Sequence, residues 1–64
     1  MQREQLEVAG RQFTVSIEQE GGWWIGLVWD LPGCGSQGGT LDELRDMLAD
    51  AIQEYLTARG ELNG

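Results

Sequence analysis

Apolar and polar residues alternate with a period of about two in the first half of this chain and about 3.6 in the second, the spacings of strands and helices. From Gln12 to Glu18, Phe13, Val15 and Ile17 fall on one side and Gln12, Thr14, Ser16 and Glu18 on the other. That pattern predicts a half-buried strand. A shorter strand is expected from Glu4 to Val8, joined to it by a tight turn at Ala9-Gly10. Glu20 to Gly22 forms the next turn, because glycine reaches the positive φ a hairpin needs. "WWIGLVWD" follows, with Trp23, Ile25, Leu27 and Trp29 on one face and Trp24, Gly26 and Val28 on the other. A strand apolar on both sides is usually covered on both. Leu31-Pro32-Gly33 ends it, since proline cannot donate to a ladder. "CGSQG" reads as a short extended edge segment.

The second half predicts one helix, starting at Thr40 and ending at Gly60. Thr40 and Glu43 have the spacing of a capping box. Leu41, Leu44, Leu48, Ala51, Ile52 and Tyr55 make an apolar stripe, flanked by Met47 and Leu56. Gly60 suits the left-handed residue that closes a helix, and the tail "ELNG" reads as frayed. The expected fold is α+β: a three-stranded, mainly antiparallel sheet packed on one long helix, within residues 1–64 as a single domain. One helix covers one face of such a sheet. At least one of Trp24 and Trp29, which lie on opposite faces, is therefore expected to meet another chain.

Composition sharpens that expectation. A 64-residue chain buries only ~60% of the surface it exposes unfolded, so its stability is marginal. Cys34 is the single cysteine and histidine is absent, which rules out a disulfide staple and a Cys/His metal site. Oligomerisation remains as the stabilising device. Eleven carboxylates against four arginines give a net charge of −7. Such a chain repels phosphate backbones, so direct nucleic-acid binding is not expected. The charge suits a basic protein partner, or serves solubility alone. No stretch reaches the ~18 apolar residues of a membrane span, and the polar N-terminus does not read as a signal peptide. A lone cysteine fits a reducing, cytoplasmic setting.

Candidate chemistry is sparse. "GCGSQG", Gly33 to Gly38, matches G-x-G-x-x-G. A dinucleotide site needs that motif inside a parallel βαβ unit, with an acidic residue about 20 positions on. Here a helix occupies the following residues, so a turn cluster is the better reading. Asp42, Asp46, Asp50 and Glu54 line the helix opposite its apolar stripe. Like charges at i,i+4 cost roughly 0.2–0.5 kcal/mol each, so stability alone does not account for them. The stripe either meets a basic surface or is a solvated face. Two-metal catalysis needs carboxylates converging from several elements, and these lie along one helix, with Asp30 elsewhere. Cys34 has no histidine or lysine to activate it and reads as a small buried hydrophobe. No catalytic residue, cofactor or metal site is expected.

"DLPGCGSQGGTLDE", Asp30 to Glu43, resembles the HicB-like antitoxin family. The hallmarks are an acidic residue, an L-P-G-C-like turn, a short polar segment with Q-G, and a Thr that opens a helix with a following Glu. "FTVSIEQEGGWWIGLV" before it resembles the family's first hairpin. The chain departs from the family at Trp29, Gly39 and Leu44, where Pro, Asp and Ala are frequent. The resemblance implies a β-β-β-α core, described as a degraded RNase H-like fold, that forms dimers or higher homo-oligomers. It implies no enzymatic activity but binding of a small basic HicA-type toxin, an RNA-cleaving protein, whose active site it covers. Many members add a DNA-binding segment after this core, and none is visible in residues 1–64. The alternative is a stand-alone oligomeric ligand-binding or accessory module without a toxin. The residues expected at the partner surface are Trp24, Val28, Trp29, Asp30, Asp46, Asp50 and Glu54.

Overall fold

The computed structural model describes residues 2–61. Four strands, β1 (Gln2–Val8), β2 (Arg11–Glu20), β3 (Trp23–Val28) and β4 (Gly35–Gly38), precede one helix, α1 (Leu41–Ala58). The strands lie in the order β1-β2-β3-β4, and every neighbouring pair is antiparallel. The periodicity predicted three strands; the fourth is the "GSQG" segment, with Gly35 opposite Leu27 and Gly38 opposite Trp24. It carries no apolar residue, so alternation could not report it. The G-x-G-x-x-G spacing thus spans a turn and an antiparallel edge strand.

Ala9 and Gly10 both adopt positive φ, 54° and 77°. Two left-handed residues make the twisted two-residue hairpin that matches strand twist. For Ala9 this conformation costs roughly 1–2 kcal/mol, offset by the seven-pair β1–β2 register it permits.

That register and the burial pattern assign the faces. Leu6 and Val8, then Phe13, Val15 and Ile17, then Trp24, Gly26 and Val28, all lie under α1. From above, Leu44, Leu48, Ile52 and Leu56 complete the core with no exposed area. Each such side chain stabilises by roughly 1.5–3 kcal/mol on full burial. Leu56, expected at the flank, is central. Met47, at the opposite flank, is exposed. Val28 is a core residue, and Trp24 packs against the core while partly exposed. Both were expected at a partner surface; α1 covers their side of the sheet instead. The other face, with Trp23, Ile25 and Leu27, is the one left open.

Close approach sets the helix in place. A Cβ on Gly38 would lie 2.7 Å from the Leu44 backbone nitrogen, and one on Gly26 would lie 2.7 Å from Leu48 Cδ1. Thr40 Oγ1 accepts from the Glu43 N–H at 3.0 Å. Glu43 Oε1 in turn accepts from the Gly39 N–H at 2.7 Å, one residue earlier than a standard capping box. At the other end the Glu61 N–H reaches Leu56 O and the Gly60 N–H reaches Thr57 O, which is a Schellman closure. Glu61 is not frayed: its carboxylate pairs with Arg11 at 2.8 Å and Arg59 at 2.9 Å. The rest of the expected tail, residues 62–64, lies outside the described residues.

Gly38→Ala drives a methyl into helix backbone that cannot yield, and should cost about 1–3 kcal/mol. Gly22→Ala meets open space and should stay within about 0.5 kcal/mol. Urea midpoints followed by tryptophan fluorescence compare the two. The hydrogen bond from Arg11, reinforced by the charges of Arg59 and Arg11, holds Glu61 below the usual carboxylate range. The unfolded chain therefore binds this proton more tightly than the folded one. The contribution is present at neutral pH and is lost as pH falls through the folded pKa. Glu61→Gln should lower the melting temperature at pH 7 more than at pH 3, and equal losses would show that the pairing contributes nothing.

Candidate interaction surfaces

The open face of the sheet carries an apolar ridge. Trp23 and Leu27 are 51% and 57% exposed, and Ile25 between them is partly buried. Trp29 follows the strand, its N–H donating to Thr14 O at 2.9 Å, and is 53% exposed. The Arg3 guanidinium lies 4.2 Å from the Trp29 ring centroid. Arg3 is opposite Ser16 on β2, and Ser16 is opposite Leu27 on β3. Trp29 therefore extends along this same face. Its predicted exposure to a partner is compatible with that position.

Asp30 has a local task. Its Oδ2 accepts from the Thr14 N–H at 2.9 Å, extending the link between β2 and the turn after β3. Asp46, Asp50 and Glu54 project from the exposed side of α1, and none pairs with a cation among the described residues. Asp42 pairs with Arg45 at 3.3 Å, and Arg45 also reaches Glu4 at 3.2 Å. Each arginine is engaged: Arg3 on Trp29, Arg11 and Arg59 on Glu61, Arg45 on Glu4 and Asp42. Asp46, Asp50 and Glu54 thus stand without a paired cation among the described residues, and their fields add along about 12 Å of helix axis.

The predicted site residues therefore divide four ways, with Asp30 tied to the β2 backbone. Asp46, Asp50 and Glu54 share the helix surface, Trp29 belongs to the sheet face, and Trp24 and Val28 belong to the packed side. Sequence reasoning missed Arg3, Trp23 and Leu27 as the core of an open surface. Gly26 was the available signal, because an isolated glycine within a strand marks close approach of another element. It shares its face with Trp24 and Val28, so that face had to meet the helix.

An open groove of about 370 Å³ runs between the β4 entry and the second half of α1, lined by Gly33, Cys34, Gly35, Ala51, Glu54, Tyr55 and Ala58. Burial raises the Cys34 pKa, which disfavours the reactive thiolate. Among the described residues no three Cys, Asp or Glu side chains converge where they could hold a metal ion. No helix there is long and apolar enough to cross a membrane.

Sheet, helix and charge together define a small acidic α+β domain with one packed face and two open, chemically different surfaces. Comparison with known proteins gives this class a family. The chain is 39% identical over 49 residues to a UPF0150 protein of Archaeoglobus fulgidus, which spans 75% of this chain and 71% of that one. The chain belongs to the UPF0150 family. No family model matches it, and no solved structure does.

Thiol reagents provide a check on Cys34. Labelling under native conditions should be slow and should accelerate sharply in denaturant; rapid native labelling would mean that the thiol is open to solvent.

Proposed function

We propose that this UPF0150 chain is a HicB-like antitoxin domain that binds and neutralises a small basic HicA-type, RNA-cleaving toxin. The observation that carries the reading is the Asp30–Glu43 signature within a member of this family. The four-stranded sheet with one helix is compatible with the degraded RNase H-like core of HicB-like proteins. On this reading the chain is not an enzyme and does not bind nucleic acid directly. It acts in the cytoplasm as a homo-oligomer, by occupying the toxin's active surface. The charge pattern supports it. Asp46, Asp50 and Glu54 form an uncompensated negative strip, and complementary fields can raise association rates by about 10- to 1,000-fold.

A second reading has its own support. The groove beside Cys34 and Tyr55 and the open apolar ridge are features that a stand-alone oligomeric ligand-binding or accessory module would also have. A small basic reading frame next to this one favours the antitoxin; its absence favours the accessory module.

Co-expression with a cognate HicA-type protein should restore growth and yield a complex, and failure of both would overturn the toxin reading. Reversing the strip (Asp46→Arg, Asp50→Arg, Glu54→Arg) should slow association about tenfold or more at low salt, with little effect at high salt. Stopped-flow measurements at two ionic strengths check this. An unchanged rate would assign the strip to solubility alone.

A further inference from the structure

The geometry points to the open sheet face as the contact between two copies of this chain, packed face to face about a two-fold axis that crosses β3 between Ile25 and Leu27. This inference rests on the homo-oligomer part of the preceding reading and is independent of the toxin. Trp23, Ile25, Leu27 and Trp29 occupy every second position of one line, which is about 20 Å long at roughly 3.3 Å per residue. A two-fold axis lying in the interface, perpendicular to the strands at the midpoint of that line, reverses it. Trp23 of one copy then meets Trp29 of the other, and Ile25 meets Leu27. The ridge is its own complement, as an isologous contact requires.

Among the charges on this face, Arg3 and the exposed carboxylates Glu7, Glu18 and Glu20, one pair follows the same symmetry. Arg3 lies in the row of Leu27, and Glu18 lies in the row of Ile25. The axis exchanges those two rows, so Arg3 of one copy is brought beside Glu18 of the other, twice per dimer. A chain with net charge −7 should repel its own copy. Here its exposed side-chain cation on the sheet face comes to lie where the partner's carboxylate falls. The strongly acidic helix surfaces point away from each other, outward from the two sheets. A basic partner would find denser negative charge on those helix surfaces, where Asp46, Asp50 and Glu54 have no cation beside them among the described residues.

Size sets the expected strength. Two half-exposed tryptophans and a half-exposed leucine offer on the order of 350 Å² of apolar area per copy, given 150–250 Å² for a fully buried aromatic side chain. That is under half of the roughly 800 Å² per partner of a standard interface, so the polar rim has to contribute much of the contact and the dimer is expected to be weak. Two twisted sheets pack within about 30° of each other and about 10 Å apart, which half-exposed aromatic side chains can fill. A dimer with a dissociation constant of roughly micromolar or weaker is the expectation, set by how well the aromatic side chains pack and not by area alone.

Sedimentation of the full chain from about 5 to 200 µM tests this, a dimer having twice the 7.1 kDa mass of one chain. Leu27→Glu places a carboxylate beside the axis and should weaken dimerisation by about 30-fold or more, the scale of an interface hot spot. Leu27 is exposed, so circular dichroism should remain unchanged. Arg3→Glu and Glu18→Arg should each weaken the dimer, and the double variant should dimerise more tightly than either single one. Loss on Leu27→Glu with this charge-swap recovery supports the proposal. A dimer indifferent to Leu27→Glu overturns it while leaving the oligomer reading intact. A wild-type monomer at 200 µM overturns both, and toxin binding is then judged separately by co-purification. A monomer that uses this face for a basic partner, with capture abolished by Leu27→Glu, also overturns it.

Discussion

A helix buries one stripe and a sheet has two faces, and in this chain there is one helix for one sheet. Leu44, Leu48, Ile52 and Leu56 meet Phe13, Val15 and Ile17 so closely that none retains more than 2% exposure. The contact depends on absence as much as on bulk. Gly26 and Gly38 have no side chains, which lets α1 settle against β3 and β4. Leu48 occupies the space over Gly26 that a larger residue would take. Once α1 commits to that face, Trp23, Leu27 and Trp29 are left on the other about half exposed, with only the Arg3 guanidinium over Trp29 among the described residues.

The electrostatics divide along the same boundary. The four arginines are spent at the margins of the fold: at the sheet edge, beside the β1–β2 hairpin, and at both ends of the helix region. They close the seams between elements. Among the described residues no cation pairs with Asp46, Asp50 or Glu54, so α1 presents a packed apolar side to the sheet and an unbalanced acidic side to solvent. Surface pairs of this kind contribute little stability each, roughly 0–1 kcal/mol. Their larger consequence is where they leave negative charge uncancelled.

The segment that resembles HicB-like antitoxins turns out to be rich in folding instructions. The Asp30 carboxylate binds the Thr14 N–H, Gly38 admits the helix backbone, and Thr40 and Glu43 satisfy the first helical amides. A signature composed of turn, close-approach and capping residues specifies how β3, β4 and α1 join. It says less about what the assembled surfaces touch, because a fold and the sites it carries are separate properties. Membership of UPF0150 rests on a match over 49 residues of the chain, and the direction of the functional proposal comes from this segment. The specific contacts are carried by residues outside it, on α1 and on the open side of β3.

Much of the architecture was legible in the chain. The β1–β2 and β2–β3 hairpins and the helix with its two ends follow from local periodicity, turn chemistry and capping, which act over a few residues, and the burial of Cys34 agrees with a chain that has no histidine or lysine to activate it. The segment Gly35–Gly38 read as extended and at an edge but was not counted as a strand of the sheet, because "GSQG" has no apolar side chain for a pattern to use. The choice of face escaped for a different reason. A strand apolar on both sides satisfies period two equally well either way up. Trp24 and Val28 versus Trp23, Leu27 and Trp29 could be decided only by where the helix fits, and it fits over Gly26. Local spacing determined which residues travel together; long-range packing decided which of those groups meets the core and which meets the outside.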